Sequence, residues 1–151
     1  MNLEEVKEHI KEEEGYRDTI YKDTLNFATI GYGHLVLPRD KFKEGVKYSH
    51  KELEKVFEYD FQIAKQDMES LTKDLDIVDG AKEILIHMLF QLGMPKLMKF
   101  RLMFENLRKK DYVGASNEML DSLWAKKHTP ARAERLARKM RELTWENIRK
   151  E

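Results

Sequence analysis

The sequence has no cysteine, so it can form neither a disulfide nor a thiolate nucleophile. Only three prolines and seven glycines occur in its 151 residues, and no flexible linker or internal repeat divides them. No apolar run approaches the ~18 residues of a membrane span, so we expect no membrane insertion. The N-terminal stretch MNLEEVKEHIKEEEG lacks the basic and apolar regions of a signal peptide. We therefore expect a protein that is made and folded in the cytoplasm.

The chain also has no net charge, because 28 basic residues balance 28 acidic ones. A global field that would attract nucleic acid or membrane is absent. The aromatic residues do not interleave with a basic stripe, so we expect no nucleic-acid partner. The charge is uneven, however, since residues 122–150 carry nine basic and three acidic side chains. This stretch is either a solvated helix face or a surface for an acidic polymer.

Motifs for metal, nucleotide and nucleophile chemistry are missing as well. The five histidines form no HExxH pair, and Gly31-Tyr32-Gly33 is only half of a dinucleotide-binding glycine pattern. The GxSxG nucleophile elbow is absent. We therefore expect no metal and no cofactor, and nothing in the sequence requires more than a monomer.

Hydrophobic periodicity outlines the N-terminal half. Apolar residues at helical spacing predict a helix over about residues 3–14, which Gly15 can end. Residues 16–37 are rich in Tyr, Ile, Thr and Val, which predicts a small antiparallel sheet with a turn near Asp23–Asn26. A long helix is predicted over about residues 50–72.

The C-terminal half reads as helical throughout. The segment AKEILIHMLFQLG is apolar on most sides, which is typical of a buried helix. Further helices are predicted over about residues 96–109, 112–125 and 131–142. Thr129-Pro130 suits the N-cap and first position of the last of these.

These elements predict an α+β fold with two lobes in one domain of 151 residues. The N-terminal lobe, about residues 12–60, holds the antiparallel sheet. The helix over about residues 50–72 connects it to a C-terminal helical bundle, about residues 73–151 together with the first helix.

Three consecutive glutamates end the first helix, where the macrodipole disfavours negative charge. At about 100° per residue, Glu12 points away from the apolar face, whereas Glu13 and Glu14 flank it. Periodicity does not choose between Glu13 and Glu14. Partial burial and the dipole should both raise the pKa of a carboxyl group placed there, which suits a general acid.

A second carboxylate follows at a suitable distance along the chain. Asp23 lies nine residues beyond Glu14, in a polar turn where it should stay ionised. Thr29, on the next predicted strand, could share a water molecule with it. An acid and a base that positions water are what glycoside hydrolysis requires. Taken alone, however, such a pair is more often two surface carboxylates.

Several segments, in order along most of the chain, add specificity. EGYRDTIYKDTLNFATIGYGHL (Glu14–Leu35) resembles the active-site segment of phage lysozymes of glycoside hydrolase family 24, the T-even phage type. HMLFQLG (His87–Gly93) resembles the core helix of that family. LWAKKHTPARAERL (Leu123–Leu136) resembles its Trp and Thr-Pro-x-Arg-Ala segment.

The resemblance implies a lysozyme-like fold and a muramidase that cleaves the β-1,4 bond between N-acetylmuramic acid and N-acetylglucosamine in bacterial peptidoglycan, with inversion. It selects Glu14 over Glu13 as the acid, because the family acid directly precedes the glycine. Asp23 and Thr29 would hold the attacking water. Cell lysis as an endolysin, released through a phage holin, would be the biological role.

The resemblance also assigns residues around this centre. Arg132 matches the arginine that faces the catalytic glutamate across the family cleft. Leu35, Phe90 and Gln91 match cleft-lining positions, although Phe90 and Gln91 are equally well explained as parts of a buried helix. The remaining assignment is a structural pair, not a catalytic one, formed by His34 and Asp60.

The sequence departs from the family at three other positions. Met103 and Glu118 stand where the family offers small polar groups to the glycan, and Leu123 stands where it has arginine. These departures put the secondary sugar subsites in doubt. Two alternatives remain open: a lytic transglycosylase, which needs Glu14 but no water site, and a catalytically silent module that binds the wall or belongs to a phage particle.

Overall fold

The computed structural model of the protein describes residues 1–150, with side chains described for residues 1–143. Helices and one three-stranded antiparallel sheet confirm the predicted α+β class. The chain forms two compact units. The N-terminal unit is Asn2–Ile63, and the C-terminal unit contains Met1 and the chain from Ala64 onward.

The first helix, α1 (Leu3–Glu14), begins and ends where the periodicity predicts. The Asn2 side chain caps its start by accepting a hydrogen bond from the backbone N–H of Glu5. Gly15, at φ 71°, ends it by donating its N–H to the carbonyl oxygen of Lys11. The structure groups α1 with the sheet in the N-terminal unit, whereas the sequence analysis assigned this helix to the C-terminal lobe.

Three short strands follow α1: β1 (Arg17–Lys22), β2 (Ala28–Gly31) and β3 (His34–Leu35). They pair antiparallel in the order β1-β2-β3. Thr29 on β2 is paired with Tyr21 on one side and with Leu35 on the other, and Ile30 is paired with His34. Because side chains alternate across a strand, these two sets lie on opposite faces of the sheet.

The next element is α2 (His50–Thr72), as predicted, and the boundary between the two units falls within it. Ser49 Oγ accepts a hydrogen bond from the backbone N–H of Glu52 and caps the helix start. The pair between Lys7 Nζ and Glu58 Oε1, 3.0 Å apart, joins α1 to α2. The apolar core of the N-terminal unit is formed by Val6, Ile10, Ile30, Leu53, Phe57 and Phe61.

The C-terminal unit is helical. Beyond the end of α2 it contains α3 (Asp79–Leu92), α4 (Met94–Leu97), α5 (Arg101–Arg108), α6 (Tyr112–Leu120), a π-helix (Trp124–His128) and α7 (Pro130–Lys150). Residues 84–89 of α3 are all buried, as its unbroken apolar character predicts. Among the described residues, no helix is long and apolar enough to cross a bilayer.

Two predicted helices are interrupted. The helix predicted over residues 96–109 is divided into α4 and α5 at Phe100, whose ψ of 53° is not helical. The helix predicted over residues 112–125 ends at Leu120, because Asp121 leaves the helical region with ψ 59°. The start of α7 at Pro130 agrees with the predicted Thr129-Pro130 boundary.

Candidate active site

Glu14 is the last residue of α1, and its carboxyl group packs against the β2–β3 turn. Glu12 is exposed, whereas Glu13 and Glu14 are both half-buried, so burial alone does not distinguish the latter two. The contact with Gly33 does, because a β-carbon built on Gly33 would lie 2.7 Å from the carboxyl carbon of Glu14. Gly33 also has φ 71°, a conformation that glycine adopts without strain. A glycine at this position leaves the space that the Glu14 carboxyl group occupies.

Asp23 organises the turn between β1 and β2. Its Oδ1 accepts hydrogen bonds from the backbone N–H groups of Leu25 (2.9 Å) and Phe27 (2.8 Å). Asn26 donates its N–H to the carbonyl oxygen of Asp23 and adopts φ 68°. This is the hairpin in which a type I turn is followed by a left-handed residue. The turn predicted at Asp23–Asn26 is therefore present, and it fixes one oxygen of the carboxylate.

Thr29 shares a partner with Asp23. The Thr29 hydroxyl donates a hydrogen bond to the carbonyl oxygen of Phe27 at 2.9 Å, and Asp23 accepts from the N–H of the same residue. Thr29 is buried, with only 4% of its surface exposed. Because its proton is committed to Phe27, the hydroxyl oxygen can accept a hydrogen bond from a third group.

Tyr21 is a residue of this region that the sequence analysis did not identify. It lies on the same sheet face as Thr29, and the Arg17 guanidinium lies over its ring, 5.0 Å from the centroid. Burial raises the pKa of the Tyr21 phenol, the negative charges of Glu14 and Asp23 raise it further, and Arg17 lowers it. Both carboxylates thus act on one phenol. Tyr21 lies on a strand and precedes Asp23 by two residues, and this spacing predicts that the two side chains lie on the same face of the sheet.

His34 and Asp60 lie together on the other face of the sheet. His34 Nδ1 is 2.7 Å from Asp60 Oδ2, and its Nε2 is 2.9 Å from Asp40 Oδ2. Carboxylates only accept hydrogen bonds, so both contacts are satisfied at once only by the doubly protonated ring. Burial opposes that charge, but the hydrogen bonds and charges of Asp60 and Asp40 outweigh it and raise the His34 pKa. Asp40 is a partner of His34 that the sequence pattern does not predict.

The remaining predicted residues are divided between the two units. Leu35 is in the N-terminal unit, with 48% of its surface exposed. In the C-terminal unit, the Gln91 side chain donates to Thr129 Oγ1 and accepts from Trp124 Nε1, both at 3.0 Å. These two bonds give Gln91 a structural task. Phe90, next to it on α3, is half-buried.

The basic stretch of residues 122–150 is not a uniformly exposed and unpaired charged face. Arg132 is buried, with 7% of its surface exposed. Two exposed cations of the same stretch are paired, since Lys126 contacts Asp121 at 2.6 Å and Arg138 contacts Glu134 at 3.4 Å. The positive charge available for an anionic polymer is therefore smaller than the sequence count suggests.

The three departures from the family pattern line one cavity of the C-terminal unit. This cavity has a volume of about 530 Å³, and its wall includes Met103, Glu118 and Leu123 together with Phe100 and Trp124. Met103 is completely buried, Glu118 is half-buried and Leu123 is exposed. Substitutions that lie far apart in sequence therefore alter a single surface.

The N-terminal unit thus brings together the groups needed for acid–base chemistry. One carboxyl group lies at a helix end, and a second is held in a turn and shares Phe27 as a hydrogen-bond partner with a hydroxyl group. In the part of the chain that the structure describes, no group of three or more acidic or histidine side chains could hold a metal ion.

Comparisons with known proteins identify a family to which the sequence is similar. The sequence model of the family described as "Phage lysozyme" matches residues 11–142. "Probable T4-type lysozyme 1" of Dictyostelium discoideum is 30% identical over 156 aligned residues, which cover 87% of this chain and 90% of the relative. "Probable T4-type lysozyme 2" of the same organism is 28% identical with the same coverage.

Proposed function

The chain belongs to the phage lysozyme family and is a glycoside hydrolase of the lysozyme type, and we propose that Glu14, Asp23 and Thr29 carry out its reaction. The observation that carries this proposal is the arrangement within the N-terminal unit. Glu14 packs on Gly33, while Asp23 and Thr29 are both anchored to the peptide groups of Phe27.

In the proposed reaction, the substrate is the β-1,4 bond between N-acetylmuramic acid and N-acetylglucosamine of peptidoglycan. Glu14, in its protonated form, donates its proton to the glycosidic oxygen as the bond to the anomeric carbon breaks. Its place at the end of a helix and against Gly33 holds the carboxyl group in one position. Such positioning lowers the cost of reaching the transition state.

A water molecule held by Asp23 and Thr29 attacks the anomeric carbon from the opposite side of the sugar. The Thr29 hydroxyl donates its hydrogen bond to Phe27 O, so its oxygen accepts a hydrogen bond from the water hydrogen that stays on the new anomeric hydroxyl group. The Asp23 carboxylate takes the other water proton as the oxygen bonds to the anomeric carbon. The product has the inverted configuration, Asp23 then releases its proton to solvent, and Glu14 takes one up.

As the family resemblance implies, we propose Leu35, Phe90, Gln91 and Arg132 as substrate-binding residues. Leu35 offers an exposed apolar surface on the sheet face that bears Thr29. Cutting the glycan strands would weaken the bacterial wall and lyse the cell, which is the endolysin role inferred from the family. One chain supplies both carboxyl groups, so the proposal requires no second copy.

The test is digestion of purified peptidoglycan with the wild type, Glu14→Gln and Glu13→Gln, followed by analysis of the fragments. We expect Glu14→Gln to lose about 100-fold to 10,000-fold in rate, whereas Glu13→Gln stays close to the wild type. Full activity of Glu14→Gln would refute the assignment. Fragments with anhydromuramic ends would instead indicate a transglycosylase, and the first anomer released tests inversion.

A further inference from the structure

One face of the sheet carries more than the residues assigned so far. Lys22 is paired with Ala28 and Tyr21 with Thr29, and the same register places Asp23 opposite Phe27. Asp23 N–H donates to Phe27 O at 3.0 Å, which agrees with that register. Because alternate residues share a face, Phe27 projects from the same side of the sheet as Thr29.

The backbone of Phe27 is held by the two residues proposed to bind the water. Its N–H donates to Asp23 Oδ1 at 2.8 Å, and its carbonyl oxygen accepts from Thr29 Oγ1 at 2.9 Å. Three hydrogen bonds, counting the one from Asp23 N–H, thus fix the peptide groups on both sides of this residue. The direction in which the Phe27 side chain leaves the backbone is therefore set by the same contacts that hold the two polar groups.

The ring itself is not part of the core. Phe27 has 53% of its surface exposed. Two further apolar side chains of this hairpin and sheet are also exposed, Leu25 at 43% and Leu35 at 48%. Single exposed apolar residues are common, but these three all belong to the short hairpin and sheet that carry Asp23 and Thr29, so this part of the molecule suits a ligand with apolar surface.

A pyranose ring has such a surface, because its C–H groups form apolar faces while its hydroxyl groups lie at the edge. The negative face of an aromatic ring attracts these C–H groups. We infer that Phe27 is a specificity-determining residue that stacks on a sugar ring of the glycan substrate beside the attacked bond. This inference rests on the proposed function and adds a subsite to it.

The experiment compares four variants on peptide-free glycan chains prepared from bacterial peptidoglycan. Phe27→Ala removes the ring but keeps the backbone N–H that orients Asp23, and Phe27→Leu keeps an apolar side chain without an aromatic face. Phe27→Trp keeps an aromatic ring at this position. Tyr59→Ala is the control, because Tyr59 is 65% exposed in the same unit but lies on α2. KM, kcat and the unfolding midpoint are measured for each.

We expect KM to rise about fivefold to tenfold in Phe27→Ala and Phe27→Leu, with kcat and the unfolding midpoint close to the wild type. Phe27→Trp and Tyr59→Ala should keep the wild-type KM. An unchanged KM in Phe27→Ala, or an equal rise in Tyr59→Ala, would overturn the inference. So would a fall in kcat together with the unfolding midpoint, since that indicates a structural role.

The same experiments distinguish a failure of the proposed glycan hydrolysis from a failure of the proposed role of Phe27. If the wild type does not cleave the glycan at all, the proposed function fails before the variants are compared. If the wild type cleaves it and Glu14→Gln does not, the function stands, and the KM of Phe27→Ala then decides the role of the ring alone.

Discussion

The candidate reaction centre of the N-terminal unit and the cavity of the C-terminal unit are built in different ways. The reaction centre comes from one continuous segment, Glu14–Leu35, and its polar atoms are held by backbone groups of the same segment. The cavity is lined by residues from α4, α5, α6 and the π-helix, which are separated by many residues. The predicted resemblance to the family is carried by the first, and the three predicted departures from it lie in the second.

This difference has a physical basis. In the candidate reaction centre one carboxyl group packs against a turn glycine, and the other lies in a turn that contains a left-handed residue. The cavity wall is formed by side chains of helices and of the turns between them, so its shape and charge depend on those side chains. Met103 adds buried apolar volume, and Glu118 places a carboxyl group in the same wall as Lys96 and Lys99. We therefore propose that substitutions in the reaction centre and in the cavity have separable effects.

Among the substitutions that test this comparison, Gly33→Ala should have the largest effect on activity. The new β-carbon would collide with the Glu14 carboxyl group and would require a strained φ of 71°. We expect activity to fall about 100-fold because the acid is displaced. Stability should fall by about 1 to 2 kcal/mol from the backbone strain. Hydrolysis rate and chemical unfolding measure the two effects.

Gly45→Ala is the matched control, because Gly45 has φ 77° but nothing lies within 4 Å of a β-carbon built there. It should lose similar stability and keep its activity. If Gly33→Ala is as active as Gly45→Ala, Glu14 does not depend on Gly33 and the reaction centre is more tolerant than we argue.

His34→Asn tests whether the two faces of the sheet have separate tasks. The pKa of His34 is raised above its ordinary 6.5, so its two contacts stabilise the fold fully below that pH. This contribution is lost as the pH rises through the raised pKa of the folded state. At about pH 5.5 the variant should be less stable by about 2 kcal/mol, and the difference should shrink in alkaline solution.

The readout is the free energy of unfolding of both proteins across this pH range. His128→Asn serves as the control, because His128 is exposed and lies in the wall of the C-terminal cavity. Replacing this exposed side chain should change stability little. A His34→Asn difference that does not depend on pH would mean that the imidazolium is not what joins Asp40 and Asp60.

The sequence predicts the parts of the fold and of the candidate site that depend on local contacts better than the parts that depend on distant ones. The bounds of α1 and α2 and the turn at Asp23 could be predicted, because each depends on neighbours within about one helical turn or one hairpin. The break at Phe100 could not, since apolar spacing continues across it. Tyr21, Phe27 and Asp40 were missed because strand register and loop folding, not spacing, bring them to their partners.

The smallest expected effect is that of a substitution in the cavity. It tests most directly whether substrate binding at the cavity is separable from the reaction at Glu14 and Asp23. Glu118→Asn replaces the half-buried carboxyl group with a small uncharged polar group, and it removes one acidic side chain from the cavity wall that Lys96 and Lys99 also line. We expect KM on intact peptidoglycan to change by about threefold and kcat to stay constant, because uniform binding alone is altered.

Glu69→Gln removes the same charge from an exposed site on α2 and should leave both constants unchanged. If the two variants shift KM equally, the net charge of the protein, and not the cavity, determines its attraction to the bacterial cell wall. If Glu118→Asn instead lowers kcat as strongly as Gly33→Ala does, the cavity takes part in the transition state. The proposed division between a reaction segment and a separate substrate-binding cavity would then be wrong, since one interaction network would serve both.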